Sequence, residues 1–158
     1  MFRSKWISQR ADMVPWSGVR KMFNYAQKYS DVINLSLGEP DFDTPQHIIK
    51  AAIEAMKKGY THYTPNAGLI EFREAVAEKL RKENGIDVDP ETEVIATVGA
   101  MGALSLAMLT IVNPGDEVLI PNPGFASYEA QVILAEGKPV SYSLNEDKGF
   151  DINAEEIA

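Results

Sequence analysis

The sequence contains no cysteine, which removes disulfide frameworks, thiolate nucleophiles and sulfur-built zinc clusters from consideration. It has only two histidines, His47 and His62. Neither has metal-ligand companions, and no Ser-His-Asp set or paired catalytic carboxylates can be read anywhere, so both histidines read as structural. Positive charge is scarce: 15 Lys and Arg stand against 23 Asp and Glu, for a formal charge of -8. Such a surface repels phosphate backbones and anionic lipids, so neither nucleic acid nor a membrane is an expected partner. Long hydrophobic runs are missing too. Ala103 to Val112 is the longest apolar-rich stretch and is half the length that a bilayer span requires. The basic opening MFRSKWISQR has no apolar core behind it and does not read as a secretory signal. Repeats and low-complexity tracts are absent. What remains is an ordinary globular composition, 45% hydrophobic and 24% charged, expected to be soluble and cytoplasmic.

Apolar periodicity then divides the chain. Val19, Met22, Phe23 and Ala26 fall on one face of a helix within residues 17–30, and a β-prone piece spans Val32 to Leu37. A helix follows with Thr44 as N-cap, Pro45 in its first position, an Ile49, Ile53 and Met56 stripe, and Gly59 as its stop. A second runs from Leu69 to Glu83, with Leu69, Phe72, Val76 and Leu80 inward and a Glu78–Lys82 pair outside. From Glu93 the pattern becomes strand 93–98, helix 101–112, strand 117–121, helix 126–136, strand 139–144. Short strands alternating with helices mean βαβ units and a parallel sheet. A boundary near residue 90 is therefore expected, with an irregular helical region at 1–90 and an α/β region at 91–158. At the far end Asn153 is a good N-cap, with Glu155 and Glu156 suited to the positive end of a helix dipole. A capped helix start with barely a turn of helix after it reads as a cut inside a longer protein.

The chemistry sits in the joints. TVGAMGALSLA, Thr97 to Ala107, passes from a strand through Gly99-Ala-Met-Gly102 into a helix. Strand, glycine turn and helix make an anion site, because the amides of a helix's first turn have no intrahelical partner. No Lys-Ser/Thr follows the glycines, and the spacing is GxxG, so neither the nucleoside-triphosphate loop nor the dinucleotide fingerprint applies. The candidate donors are the backbone amides of Ala100 and Met101; the alternative is that the glycines only permit a tight turn. In PNPGFASY, Phe125 projects beyond a strand end, where a ring can lie against a planar ligand or be buried as core. Tyr63 in HYTPNAG offers a phenol to an anion, or is simply a half-exposed loop residue. Gly38 in LSLGEP either admits a small substrate close to the backbone or merely turns the chain.

In this order, NLSLGEPDFDTPQHI, YTHYTPNAGLIEFREAVAEKL, TVGAMGALSLA and PNPGFASYEAQV resemble the N-terminal portion of a class I aminotransferase, a fold-type I pyridoxal-phosphate enzyme. The resemblance runs from about Trp16 to the C-terminus. It implies an α/β fold of the pyridoxal-phosphate-transferase type, in which 91–158 begin the large cofactor-binding domain. The anion is then the 5′-phosphate of pyridoxal phosphate, on the amides of Ala100 and Met101. Many relatives carry a hydroxyl residue where Met101 stands, so here only its backbone would serve. Phe125 matches the aromatic that stacks on the pyridine ring. Tyr63 matches the tyrosine that reaches the phosphate of the neighbouring subunit, which requires a homodimer. Gly38 matches the glycine whose amide meets the substrate's α-carboxylate. Residues around Trp16 to Val19 would lie near the mouth of the site.

The resemblance also implies what this stretch does not hold. The lysine that carries the cofactor, the aspartate beside the pyridine nitrogen and the arginine that clamps the substrate carboxylate lie past the matched region in the family. No catalytic residue is thus assigned here. In the family's sheet order the strand at 93–98 would also lack its normal neighbours. The implied reaction is reversible transfer of an amino group from an L-amino acid to a 2-oxo acid, with these 158 residues inactive alone. The competing readings are a non-catalytic phosphate-ligand-binding or regulatory module of the same fold, and a lyase or decarboxylase.

Overall fold

The computed structural model describes residues 6–15, 18–33, 40–157, Leu35 and Gly38. Of the residues given a reading above, Trp16, Ser17, Asn34, Ser36 and Leu37 lie outside the described residues. In chain order the helices are α1 (Gln9–Met13), α2 (Gly18–Ala26), α3 (Gln46–Lys57), α4 (Ile70–Lys79), α5 (Gly99–Ile111), α6 (Ser127–Leu134) and α7 (Ala154–Ile157). The strands are β1 (Glu117–Asn122) and β2 (Lys138–Ser143). The chain divides into two compact units, one of residues 39–98 and one of residues 1–38 with 99–158. The expected joint near residue 90 falls inside the first of these.

In the 39–98 unit, α3 starts one residue later than the sequence suggested. Pro45 is extended, with ψ 138°, and is itself the cap; its carbonyl accepts from the Ile48 and Ile49 amides at 2.9 and 3.2 Å. Thr44 is therefore not the N-cap. At the other end Gly59 stops the helix as expected. Its φ of +85° lets its amide reach the Met56 carbonyl at 3.0 Å and lets the Tyr60 amide reach Ala55 at 3.1 Å, which satisfies two of the carbonyls a helix end leaves open. Ile53 and Met56 were expected inward, but they line an open groove with Ile48 and Ala52.

The next helix corrects the sequence reading more sharply. α4 continues through a wide turn, Leu80–Asn84, to Gly85 at φ +67°. The expected Glu78–Lys82 pair forms on its exposed side. Phe72 is 54% exposed rather than inward, and its neighbour Arg73 is the buried residue at 9%. The guanidinium goes inside because three carbonyls wait there. Arg73 Nε donates to Gly68 O at 3.2 Å, and Nη1 donates to Pro90 O at 2.7 Å and Glu91 O at 3.0 Å. The turn that supplies two of these acceptors is closed by Asp89, whose carboxylate accepts from the Glu91 amide (2.9 Å) and the Thr92 hydroxyl (2.8 Å). Residues 93–98 form no strand. Their Ala96 amide bonds the Ala67 carbonyl at 2.9 Å, but no described strand lies beside them to complete a ladder, as the family's sheet order implied.

The other unit is built on one βαβ crossover. β1 and β2 pair in parallel, Glu117 opposite Lys138 through Asn122 opposite Ser143, and α6 connects them. Val132 of α6 is fully buried and Ala135 is 7% exposed; burying a valine side chain is worth about 1.5–3 kcal/mol. Gly137 lets the chain turn tightly out of α6: a methyl group there would lie 2.8 Å from Val112 Cγ1 and 3.0 Å from Val132 Cγ1. An Arg10–Glu136 ion pair at 3.1 Å ties α1 to the end of α6. After β2, the Asn153 side chain accepts from the Glu155 amide at 3.0 Å and starts α7, as its sequence position suggested. No helix among the described residues is long and apolar enough to cross a membrane.

Candidate functional site

Gly99 sits at φ +65°, a conformation open to glycine at little cost, and it is the first residue of α5. The helix thus begins at Gly99 rather than at Met101. Ala100 and Met101 occupy its first turn, where amides have no carbonyl one turn earlier in the helix to receive them. No acidic side chain stands in that first turn, so no carboxylate of its own offsets the positive end of the helix dipole.

Contacts along α5 and α6 fix their relative direction. Val112, just after α5, lies against Gly137, just after α6. Higher up, the Ser105 hydroxyl donates to Gln131 Oε1 at 2.8 Å and lies 2.9 Å from the Met101 carbonyl. The two helices therefore run side by side in the same direction. Ser105 is six residues past Gly99, where α5 begins, and Gln131 four residues past Ser127, where α6 begins, about 9 and about 6 Å of helix. Both N-termini consequently open on the same side, toward the carboxyl end of β1, the edge at which parallel α/β sheets bind ligands.

Phe125 stands in the turn between β1 and α6 at that edge. Its ring is 56% exposed and meets the Tyr128 ring edge-on, with centroids 5.6 Å apart and planes at 76°. The turn is tight: the Asn122–Pro123 peptide is cis, and a methyl group on Gly124 would come within 2.3 Å of the Pro121 carbonyl oxygen. A cleft of about 320 Å³ opens here, with Asn122, Phe125, Tyr128 and Ser141 among its walls. Amide donors in the first turn of a helix and an exposed aromatic ring are the kinds of group that suit a phosphate attached to a planar heterocycle.

Gly38 has open space where a side chain would project, so nothing among the described residues requires glycine there. Tyr63 belongs to the 39–98 unit and is fully exposed. Sequence reasoning singled out neither Arg73 nor Gly124. A glycine between two prolines' reach, in Pro-Asn-Pro-Gly-Phe, was the available signal for the second.

A family model described as "Aminotransferase class I and II" matches residues 30–158. The chain is 48% identical over 151 residues to aromatic-amino-acid aminotransferase 2 of Thermococcus litoralis, covering 96% of this chain and 39% of that protein. It is 50% identical over 151 residues, with the same coverage, to aspartate aminotransferase of Pyrococcus abyssi. Among solved structures, the crystal structure of Pyrococcus protein-A1 superposes with a TM-score of 0.90 at 51% identity, covering 94% of this chain and 38% of that one. The chain thus spans about two-fifths of the length of these relatives.

Proposed function

From the premise that the chain belongs to the class I and II aminotransferases, a family of pyridoxal-phosphate enzymes, we propose that it forms the phosphate- and ring-binding part of an enzyme moving an amino group from an L-amino acid to a 2-oxo acid. The relatives are named for aspartate and for aromatic amino acids; what they share, an L-amino acid, is what we carry over. Residues 91–158 are read as the first part of the cofactor domain and 1–90 as the arm and helices before it.

One observation supports this above the rest: two helix N-termini and the Phe125 ring share the carboxyl edge of β1. In this reading the Ala100 and Met101 amides donate to the 5′-phosphate, and the dipole of α5 favours its negative charge. Phe125 lies against the pyridine face and holds its plane. The Gly38 amide meets the α-carboxylate of the amino acid, and Tyr63 donates to the phosphate bound by the neighbouring subunit of a homodimer. Pyridoxal phosphate, when bound, supplies an electron sink for bonds at the amino acid's α-carbon. The protein groups named here bind and orient; none of them moves a proton.

Ala100→Pro tests the reading. Proline is tolerated in the first turn of a helix and removes only the N–H. Losing one hydrogen bond to a charged group should weaken pyridoxal-phosphate binding by about tenfold or more, followed by the cofactor's absorbance during dialysis, with helix content unchanged by circular dichroism. Unchanged affinity in a folded Ala100→Pro protein would place the phosphate elsewhere.

A further inference from the structure

Arg73 is the one buried charged side chain among the described residues, and no carboxylate there lies within ion-pair distance of it. A cation taken out of water needs compensation, and the hydrogen bonds of this one all go to main-chain carbonyls, with the Asp89 carboxylate near enough to feel its charge. The three acceptors, Gly68, Pro90 and Glu91, come from two stretches without regular secondary structure. A planar guanidinium with several donors in a fixed fork can hold such segments in one geometry, where a lysine would act at a point.

The first of those stretches is the loop that carries Tyr63. Its N-terminal end is held by the Tyr60 amide on Ala55 and the Thr61 amide on Gly59, and its C-terminal end by a denser set of contacts. The Gly68 amide bonds the Pro65 carbonyl at 2.8 Å, the Ala67 carbonyl accepts from Ala96 at 2.9 Å, and Arg73 takes the Gly68 carbonyl. Gly68 itself is pressed on Ala96, so closely that a methyl group there would lie 2.8 Å from the Ala96 Cβ. Five residues upstream the Tyr63 side chain is fully exposed, so the position from which its hydroxyl reaches out is set by the main chain. Arg73, through the Gly68 carbonyl, bonds that main chain from outside the loop.

We propose that Arg73 is a positioning residue for cofactor binding, acting through Gly68 on the aim of Tyr63. This rests on the reading of Tyr63 given under Proposed function. The test is a double-mutant cycle in the full-length enzyme carrying this chain, with Tyr63→Phe, Arg73→Gln and their combination, each assayed for pyridoxal-phosphate affinity. If Arg73 acts through the tyrosine hydroxyl, Arg73→Gln weakens the cofactor about tenfold in the parent but no more than about twofold when Tyr63 is already Phe. Arg73→Lys, which keeps the charge but not the fork, falls between, and it replaces the glutamine variant in the cycle if that variant does not fold. Equal losses in both backgrounds, or no loss in either, overturn the proposal and leave Arg73 a stabiliser of the fold. A silent Tyr63→Phe beside a damaging Arg73→Gln overturns it by a different route, since the assignment of Tyr63 has then failed first.

Discussion

Two glycines of this chain are constrained in opposite ways. At Gly124 a methyl group would meet the Pro121 carbonyl oxygen at 2.3 Å, backbone against side chain with no flexible partner to yield. Gly124→Ala should cost about 1–3 kcal/mol of stability, visible as a lower urea midpoint, and should displace the Phe125 ring next to it. An unaltered midpoint would mean that the turn has room the geometry denies. At Gly38 a methyl group meets nothing, so Gly38→Ala should leave the midpoint in place. If a substrate carboxylate approaches that backbone, the same variant in the full-length enzyme should raise KM for the 2-oxo acid several-fold; an unchanged KM removes Gly38 from the site. Only part of this was legible in the sequence. Gly59 announced itself by ending an apolar stripe, and Gly99 by standing between a strand pattern and a helix pattern. The closeness of Gly68 to Ala96, and of Gly137 to Val112, depends on residues more than twenty positions away, which no local pattern carries.

At the scale of elements, α4 shows why periodicity reached its limit. Leu69, Phe72, Val76 and Leu80 recur at helical spacing, and Leu69, Val76 and Leu80 are indeed half-buried. Arg73 lies one helical step from Phe72 and took its place because distant carbonyls at Pro90 and Glu91 could accept from it. Hydrophobic spacing sees apolar side chains but not main-chain acceptors. The same blindness explains residues 93–98, whose β-rich composition is real but whose ladder needs strands that are not beside it. The turn that Arg73 grips also has its own pH response. The Glu91 amide, then the Thr92 hydroxyl, hold the Asp89 carboxyl below its usual range. A depressed folded-state pKa contributes stability that is complete above the unfolded value, about 3.9, and disappears as pH falls through the folded one. Wild type should therefore lose more stability than Asp89→Asn between about pH 5 and pH 2; parallel curves would deny the turn that role. Between α5 and α6, Ser105→Ala strands the Gln131 amide, 8% exposed, and should cost about 1–3 kcal/mol. A smaller loss would show that another group takes up the amide.

For the whole molecule, the ordered motifs were more informative than any single residue. Four stretches in sequence carried the resemblance to the aminotransferases, and the family match over residues 30–158 bears it out. The α/β character and the parallel pairing of β1 with β2 were readable from alternation and short joints. On the reading proposed here, the cofactor-holding lysine lies beyond the matched two-fifths of the relatives, so the purified 158-residue polypeptide should not convert an amino acid and a 2-oxo acid. Measurable turnover by that polypeptide would overturn the division of labour. Its surface has a further consequence. Val98 is 94% exposed, Leu35 92% and Ile33 88%, and among the described residues no third strand pairs with β1 or β2. These are the features that holdase chaperones and proteases select in a cell. For a purified polypeptide of these residues the same faces would favour self-association, and polar substitutions at Val98 or Leu35 would lengthen the time that it stays in solution.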